Sequence, residues 1–302
     1  METEELIKTS LSFYALGEFR NYVRLQHGFA NRNFKLTTGK GLFLFRMQLQ
    51  SPVQNIEKEH RMLEILKNSG FPAAFPVHDK NGKTWHTVNG NTISIYDFIP
   101  GQVPLLNEQT VTEAALVLAR LHQTEETKVP FKPNKLRPQK VASVMDEFAR
   151  APHPLPDVFD RVTRVWETLE PFLHERLPSG LLHADLFPDN TIFEGNRLKA
   201  VIDFEDYCID SLLFDVAMSI NGFCFVHNRF DPVLFHVFMK TYDSRRPLTP
   251  EEKELLPVYI RWTALAMASW HLENHLMYKP YPRQEKRVRE LLERTEKQYP
   301  FF

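Results

Sequence analysis

The spacing of apolar and polar residues divides the chain into two regions of different secondary structure. Residues 4–16 carry apolar side chains at helical spacing and end at Gly17. Between about residues 19 and 98, short runs rich in aromatic and β-branched residues are separated by turns that contain glycine or asparagine. A helical pattern over residues 53–68 interrupts these runs. The first third therefore predicts an antiparallel sheet of about five strands plus a helix.

The turns of this region have the composition of hairpin connections. Gly39-Lys40-Gly41, Asn81-Gly82 and Asn89-Gly90-Asn91 each contain residues that adopt positive φ at low cost. We expect turns at the first two positions, and we expect residues 84–88 to pair with residues 92–98 across the third.

Beyond Pro100-Gly101 the pattern becomes mainly helical. Residues 130–138 are rich in Pro and Lys and predict a surface loop. The predicted helices span residues 108–122, 141–151, 159–177, 211–225, 232–242, 250–279 and 283–298. Together the two regions predict an α+β, bilobal fold. A small antiparallel-sheet lobe occupies residues 1–99, and a larger, mainly α-helical lobe occupies residues 100–302.

Composition and charge restrict the kind of partner. Lys and Arg number 37 and Asp and Glu 38, so the formal net charge of -1 gives no support to a nucleic-acid partner or an acidic membrane surface. The two cysteines are too few for a disulfide framework and fit a reducing compartment. The acidic start of the chain is unlike a signal peptide, and no apolar run reaches the ~18 residues of a membrane span. We expect a cytoplasmic protein.

The residues that carry chemistry lie close together between positions 183 and 203. An apolar run leads into His183-Ala184-Asp185, Asn190 follows five residues after Asp185, and a second apolar strand ends at Asp203. Two acids and one amide in this order suit phosphoryl transfer. We expect Asp185 to be the catalytic base that accepts a hydroxyl proton. We expect Asn190 and Asp203 to hold Mg²⁺, which binds hard oxygen ligands, on the phosphates of a nucleotide.

These motifs resemble those of a known family. His183-Ala-Asp-Leu-Phe-Pro-Asp-Asn190 with Ile202-Asp203-Phe204 resembles the His-Arg-Asp-Leu-x-x-x-Asn and Asp-Phe-Gly motifs of protein kinases. Ala184 and Glu205 stand in place of the Arg and Gly, as in the small-molecule branch of aminoglycoside phosphotransferases, choline kinases and type II homoserine kinases. Within that branch, residues 182–225 and 246–261 are most similar to bacterial homoserine kinases.

The resemblance implies a protein-kinase-like fold, ATP and Mg²⁺ as cofactors, and roles for further residues. Asp215 should be buried and support the catalytic loop through backbone hydrogen bonds, with His183 as a second support. Arg46 stands where the family places its phosphate-contacting cation, with Glu59 as its ion-pair partner. Tyr96 and Phe98 belong to the segment that should meet adenine, and residues 27–33 to the phosphate loop. The implied nucleotide-binding residues are therefore Gly28, Asn31, Arg46, Glu59, Tyr96 and Phe98.

The acceptor substrate should lie between Asp185 and the helical lobe. Three acids follow the metal-binding Asp at once and could meet an ammonium group; they are Glu205, Asp206 and Asp210. Arg261 matches a helix position where homoserine kinases carry Arg, so it could bind a substrate carboxylate. Ala266 and His271 stand where two further arginines are expected. A set of aromatic residues could instead surround a choline-like cation or simply pack in the core; they are Tyr207, Trp262 and Trp270.

The predicted function is an ATP- and Mg²⁺-dependent kinase that phosphorylates a hydroxyl of a small amino alcohol. Homoserine is the first choice, and choline, ethanolamine or an aminoglycoside are alternatives. A kinase-like protein that binds nucleotide without catalysis, with a regulatory role, is the alternative from another class. A protein kinase fits poorly, because only twelve residues lead from Asp203 to Asp215, too few for an activation segment.

Overall fold

The computed structural model describes residues 3–25, 31–49, 51–152, 155–173, 176–278, 281–297 and 299. The first lobe contains a five-stranded antiparallel sheet with strand order β1-β2-β3-β5-β4 and two helices. Its elements are α1 (Thr3–Leu11), β1 (Phe19–Arg24), β2 (Asn31–Thr38), β3 (Gly41–Gln48), α2 (Val53–Asn68), β4 (Trp85–Val88) and β5 (Asn91–Asp97). The predicted sheet and helix are confirmed.

The structure has turns at the three positions where the sequence predicts them. Asn89 and Gly90 both have positive φ, 49° and 76°, so they form a two-residue turn whose twist matches the β4–β5 hairpin. Thr38 pairs with Gly41, which closes the β2–β3 hairpin around Gly39 and Lys40. Gly82, with φ 81°, completes a tight turn before β4.

The second lobe is mainly helical and contains three two-stranded antiparallel sheets, β6–β9, β7–β8 and β10–β11. The pairing of β6 with β9 was not predicted. The elements are α3 (Glu108–Leu121), α4 (Pro138–Phe148), α5 (Pro156–Leu169), β6 (Ser179–Leu182), β7 (Thr191–Glu194), β8 (Arg197–Val201), β9 (Cys208–Ser211), α6 (Leu212–Phe223), β10 (Phe225–Val226), β11 (Arg229–Phe230), α7 (Pro232–Arg245), α8 (Pro250–His271) and α9 (Pro282–Thr295).

Each predicted helix is present, but several ends differ from prediction. Proline starts five of the helices, because its fixed φ suits the first turn and its missing N–H costs nothing there. Helix α5 ends at Leu169, eight residues before the predicted end, and Pro171 lies directly beyond it. Helix α8 continues into a π-helical turn, Leu272–Leu276, instead of running as one α-helix to residue 279.

The buried apolar residues form two hydrophobic cores of different size. The smaller core joins α1 to one face of the sheet. The larger core fills the helical lobe and also takes in Met62 and Leu63 of α2 and Tyr96 of β5. This core therefore contains residues from both sides of the predicted domain boundary between residues 99 and 100. The boundary itself stays a prediction. Within the described ranges, every helix is too short or too polar to cross a lipid bilayer.

Candidate active site

A buried carboxylate holds the loop that follows β6. Asp215, in the first turn of α6, accepts hydrogen bonds from the backbone N–H groups of His183 (2.7 Å) and Ala184 (2.9 Å). Ala184 has φ 65°, a conformation that disfavours residues with a Cβ. The two bonds to a charged acceptor offset this strain, so Asp215 fixes the direction in which the chain reaches Asp185.

Two further buried side chains hold Asp215 in place. His122, at the end of α3, lies 3.2 Å from the Asp215 carboxylate through Nε2 and 2.6 Å from the Tyr242 hydroxyl through Nδ1. Because a carboxylate only accepts, Nε2–H of His122 donates to Asp215, and Nδ1 shares a hydrogen bond with the Tyr242 hydroxyl. Three helices thus contribute to one buried hydrogen-bond chain behind the loop.

His183 joins the same loop to the end of β8. Its Nε2 lies 3.0 Å from the carbonyl oxygen of Ile202, the residue before Asp203. Burial lowers the pKa of His183, so the neutral ring donates its Nε2–H to that carbonyl. The side chain is a structural link between the two segments that carry the predicted catalytic and metal-binding residues.

Asp185 and Asn190 are in direct contact. Asn190 Nδ2 donates to the Asp185 carboxylate and to the Asp185 carbonyl oxygen, both at 2.8 Å. The N–H of Ile202 donates to the Asn190 carbonyl at 2.9 Å, which brings Asn190 beside the segment that ends at Asp203. Burial raises the pKa of Asp185 well above its usual range, and the charges of Asp206, Asp189 and Asp203 raise it further. The carboxylates of Asp185, Asp189, Asp203 and Asp206 are therefore close enough to affect one another electrostatically.

Arg46 crosses the cleft between the lobes to reach Asp203. Its Nη1 lies 3.3 Å from Asp203 Oδ1, and its Nε donates to Asn33 at 3.2 Å. Burial alone would lower the pKa of Arg46, but Asp203, Tyr96, Glu59 and Glu205 outweigh it and raise the pKa. The cation at the end of the predicted strand thus faces the predicted metal-binding acid.

The predicted ion pair between Arg46 and Glu59 is wrong. No salt bridge joins these two described side chains, although both line the same cleft. Burial raises the pKa of Glu59 to about 7, despite the attraction of Arg46. Burial of a carboxylate makes its charge costly, whereas the side chain of Asp203 is one-third exposed and keeps part of its hydration. Arg46 therefore pairs with Asp203.

The cleft between the lobes has an empty volume of about 590 Å³, part of which is open to solvent. Its walls are mostly apolar and include four charged residues, Arg46, Glu59, Asp97 and Asp203. The predicted residues Tyr96 and Phe98 lie in its wall, and the Tyr96 hydroxyl is 2.8 Å from His60 Nε2. Gly28 lies outside the described residues. The wall comprises Leu25, Leu44, Arg46, Glu59, Leu63, Ala74, Tyr96, Asp97, Phe98, Ile99, Ile192, Ile202, Asp203 and Phe204.

The acidic segment after Asp203 has contacts with both lobes. Glu205 accepts from Asn31 Nδ2 at 2.9 Å, which links the start of β2 to the helical lobe. Asp206 forms an ion pair with Lys135. Asp210 accepts from Asn134 Nδ2 at 2.8 Å and from its neighbouring backbone N–H. The Asp210 carboxylate therefore joins two segments of the protein, and its substrate role stays a prediction.

Arg261 also differs from prediction. Its Nε donates to the carbonyl oxygen of Thr295, the last residue of α9, at 2.5 Å. A guanidinium at this position satisfies a carbonyl at the helix end and interacts favourably with the helix dipole. The predicted contact with a substrate carboxylate is replaced by a contact that holds α9 against α8.

The aromatic residues considered for a choline-like cation are mostly in the core. Tyr207 and Trp262 are fully buried, and Trp262 packs against Trp166 with ring centroids 5.8 Å apart. Trp270 is at the surface beside His271. These side chains do not surround one site, so core packing explains the first two.

Sequence reasoning missed the cations of residues 130–136. The surface-loop prediction is wrong for Lys132 and Asn134, which are only 4% exposed. The Lys132 amine donates to the Glu205 carbonyl oxygen and lies over the Tyr207 ring, 5.1 Å from its centroid. The hydrophobic pattern holds no signal for this, because the buried residues are themselves polar.

The oxygen donors fit a divalent metal bound through a nucleotide. Asp203 and Asn190 could supply hard oxygen ligands, and they lie near several carboxylates whose charges add to burial in raising the pKa of Asp185. The described ranges hold no group of three or more His, Cys, Asp or Glu side chains arranged to bind a metal alone. Mg²⁺ would therefore need phosphate oxygens and water to complete its shell.

Comparison with known proteins agrees with this arrangement. Homoserine kinase of Caulobacter vibrioides strain NA1000 is 30% identical over 268 residues, which cover 87% of this chain and 84% of that protein. Two solved structures share the fold at low sequence identity. An amicoumacin kinase in complex with AMP-PNP, Ca²⁺ and Ami has a TM-score of 0.76, 15% identity and coverage of 98% of this chain and 94% of that one. A microcompartment-associated aminopropanol kinase has a TM-score of 0.76, 17% identity and coverage of 95% and 94%.

The family itself is matched over most of the chain. Residues 21–248 match the phosphotransferase enzyme family. This range contains the sheet lobe from β1 onward, the cleft and the loop from His183 to Asp203. The chain therefore belongs to the phosphotransferase enzyme family and has the bilobal, protein-kinase-like fold that its sequence predicts.

Proposed function

We propose that the chain is an ATP-dependent kinase that transfers the γ-phosphoryl group to the hydroxyl of a small amino alcohol, with homoserine as the best-supported acceptor. The observation that carries this proposal is the direct contact of Asp185 with Asn190, beside Asp203 and facing the cleft cation Arg46. A base, two oxygen ligands and a cation around one space are the parts that phosphoryl transfer needs.

Asp185 is the proposed base. Its carboxylate would accept the proton of the acceptor hydroxyl and orient that oxygen toward the γ-phosphorus. The bonds from Asn190 restrict its rotation, and Asp215 holds the backbone that precedes it. Positioning of this kind accounts for much of the rate in phosphoryl transfer, because the protein itself forms no covalent bond in the reaction.

The nucleotide would lie in the cleft with its adenine against the apolar wall near Tyr96 and Phe98. Arg46 would contact the phosphates, and Asn31 would contribute from the start of β2. Asn190 and Asp203 would hold Mg²⁺, which supplies positive charge to the β- and γ-phosphates when bound. Burial raises the pKa of Glu59, which lies in the same wall, to about 7, and this side chain would act electrostatically on Arg46.

Two facts support an amine-bearing acceptor. The charge of Asp206 acts on the proposed base, and Glu205 interacts with Asp203 and Asp206, so a positively charged group would be attracted there. A relative that covers most of the chain is a homoserine kinase, and homoserine carries an ammonium group three carbons from its hydroxyl. The cytoplasmic location stays a prediction from the sequence.

The test is acceptor-dependent consumption of ATP with Mg²⁺, using homoserine, choline, ethanolamine and an aminoglycoside as acceptors. Asp185→Ala should lower turnover at least about a hundredfold, because general-base catalysis contributes that much or more. Binding of a fluorescent ATP analogue should be retained. Asp146→Ala, on the exposed face of α4, is the matched control and should retain turnover.

Two results would contradict the proposal. Full turnover by Asp185→Ala would exclude Asp185 as the base. A folded wild-type protein that binds the ATP analogue and consumes no ATP with any acceptor would favour the nucleotide-binding regulatory role instead.

A further inference from the structure

Residues 130–136 form a segment, the 130–136 loop, that lies along the acidic segment after Asp203. Lys132 donates through its amine to the Glu205 carbonyl oxygen. Asn134 donates to Asp210 at 2.8 Å and accepts from the N–H of Leu136 at 2.8 Å. Both side chains are buried, so the loop is held from inside although its sequence is polar.

Backbone contacts add to these side-chain bonds. The N–H of Ile209 donates to the Lys132 carbonyl at 3.0 Å, and the Tyr207 hydroxyl donates to the Pro130 carbonyl at 3.1 Å. Four attachments over a few residues leave the backbone of the 130–136 loop little freedom. A side chain that projects from it is therefore presented at a defined position.

Lys135 is such a side chain. Its ammonium contacts the Asp206 carboxylate, and the two side chains are 54% and 34% exposed. Asp206 ends the short 3₁₀ turn Phe204–Asp206, which begins directly after Asp203, and among the acidic charges that raise the pKa of Asp185 its effect is the largest. An ion pair whose ammonium side chain is more than half exposed thus lies beside the proposed catalytic base.

The other cations near these acids, Arg46 and Lys132, are buried and already bonded to protein groups. Arg46 is buried and bonded to Asn33 and Asp203. Lys132 is buried against the Glu205 carbonyl. Among the described cations that act on this acidic segment, Lys135 is the one whose side chain is more than half exposed and can exchange partners with a ligand.

An adjacent carboxylate and ammonium match the head of an α-amino acid, whose own ammonium and carboxylate are attached to one carbon. Each charge of the ligand then meets an opposite charge, and the protein's ion pair is exchanged for two pairs without leaving a charge uncompensated. We propose that Lys135 and Asp206 bind the zwitterionic head of the acceptor, with Lys135 on its carboxylate and Asp206 on its ammonium. This inference rests on the proposed function.

The consequence is a preference for a hydroxylated α-amino acid over the same amino alcohol without a carboxylate. Homoserine without its carboxylate is the aminopropanol with its amine and hydroxyl at opposite ends, so the two compounds differ only in the group that Lys135 would bind. The ratio of their kcat/KM values isolates that contact, because the base, the nucleotide and the ammonium contact are common to both.

The experiment compares this ratio in the wild type, Lys135→Met and Lys135→Arg. Methionine keeps the apolar stem and removes the charge, whereas arginine keeps the charge. In Lys135→Met the ratio of homoserine to aminopropanol should fall roughly tenfold or more, and in Lys135→Arg it should stay within a few-fold of the wild type. Calorimetric titration of homoserine into the protein with a non-hydrolysable ATP analogue should show the same order of affinities.

Lys128→Met is the matched control. Lys128 forms an exposed ion pair with Glu125 only seven residues before Lys135, so the same substitution there should leave the ratio unchanged. Urea unfolding of each variant shows that it is folded.

The outcomes separate the two proposals. Turnover of both acceptors with an equal ratio in the wild type and Lys135→Met would overturn the inference and leave the proposed function standing. A wild type that turns over the aminopropanol at least as well as homoserine would also overturn the inference. No acceptor-dependent consumption of ATP with either compound would overturn the proposed function and the inference with it.

Discussion

Asp215→Asn tests the buried support of the catalytic loop. The wild-type carboxylate accepts from the N–H groups of His183 and Ala184 and lies 3.2 Å from His122 Nε2. The substitution keeps the shape of the side chain but replaces one acceptor oxygen by an NH₂ group. In the less costly orientation, this NH₂ faces the N–H of Ala184, so two donors oppose each other in a fully buried site.

The expected loss follows from that one position. A hydrogen bond to a charged group is worth about 1.5–3 kcal/mol, and a buried N–H left without an acceptor carries a cost of its own. We therefore expect the free energy of unfolding to fall by about 2–3 kcal/mol. With a urea dependence of about 2–3 kcal/mol per molar, the urea midpoint should fall by about 1 M. Since Ala184 then loses the bond that holds its φ of 65°, kcat should fall at least about tenfold.

Urea unfolding followed by circular dichroism, together with steady-state kinetics, measures both effects. The KM for ATP should change less than about twofold, because Asp215 is behind the loop and outside the cleft wall. Asp231→Asn is the control. Asp231 caps α7 by accepting from two backbone N–H groups, and Asn caps helices equally well, so its stability should stay within about 0.5 kcal/mol. If Asp215→Asn matched the wild type in urea midpoint and kcat, the carboxylate would not be what holds the loop.

Two further substitutions test the corrected contacts. Glu59→Gln should change how stability depends on pH: the pKa of Glu59 is about 7 in the folded protein against 4.5 ordinarily, so the folded state retains a proton that the unfolded state loses between these values. The wild type should therefore lose up to about 3 kcal/mol relative to Glu59→Gln between pH 4.5 and pH 7, as measured by urea unfolding. Arg261→Met should lower stability by about 1 kcal/mol through the lost bond to Thr295, while the homoserine-to-aminopropanol ratio stays within about twofold.

Each of these has a result that would contradict it. Parallel pH profiles for the wild type and Glu59→Gln would show that Glu59 has an ordinary pKa in the folded protein. A roughly tenfold fall in the ratio for Arg261→Met would return Arg261 to the substrate site, since a contact with the end of α9 does not distinguish the two acceptors.

Local chemistry explains which elements could be predicted. The Asn89-Gly90 turn and the helix Val53–Asn68 depend on the conformational preferences of a few neighbouring residues, and both form where the pattern indicates. The predicted end of helix α5 is wrong, because the apolar pattern continues to Leu177 whereas the helix ends before Pro171. The β6–β9 pair was missed, since a pairing between distant segments leaves no periodic signal in either.

In the candidate site, too, the features that depend on neighbouring residues could be predicted, and the contacts between distant segments could not. The residue types and short spacing of His183, Asp185, Asn190 and Asp203 determined the kind of chemistry, because side chains within one loop and the next strand must lie close together. Their support by Asp215 was implied by family resemblance, and the structure adds the bonds from His122 and Tyr242 behind it.

What only the tertiary structure decided is which cation faces which acid. Arg46 pairs with Asp203 and not with Glu59, although Glu59 is nearer along the chain, because burial makes the charge of Glu59 costly. The 130–136 loop reaches the acidic segment through contacts such as Asn134 to Asp210, which are 76 residues apart. The sequence by itself determined the chemistry of the reaction, where neighbouring residues suffice. The surroundings of the acceptor depend on the packing of distant segments and on desolvation, and neither can be read from a local pattern.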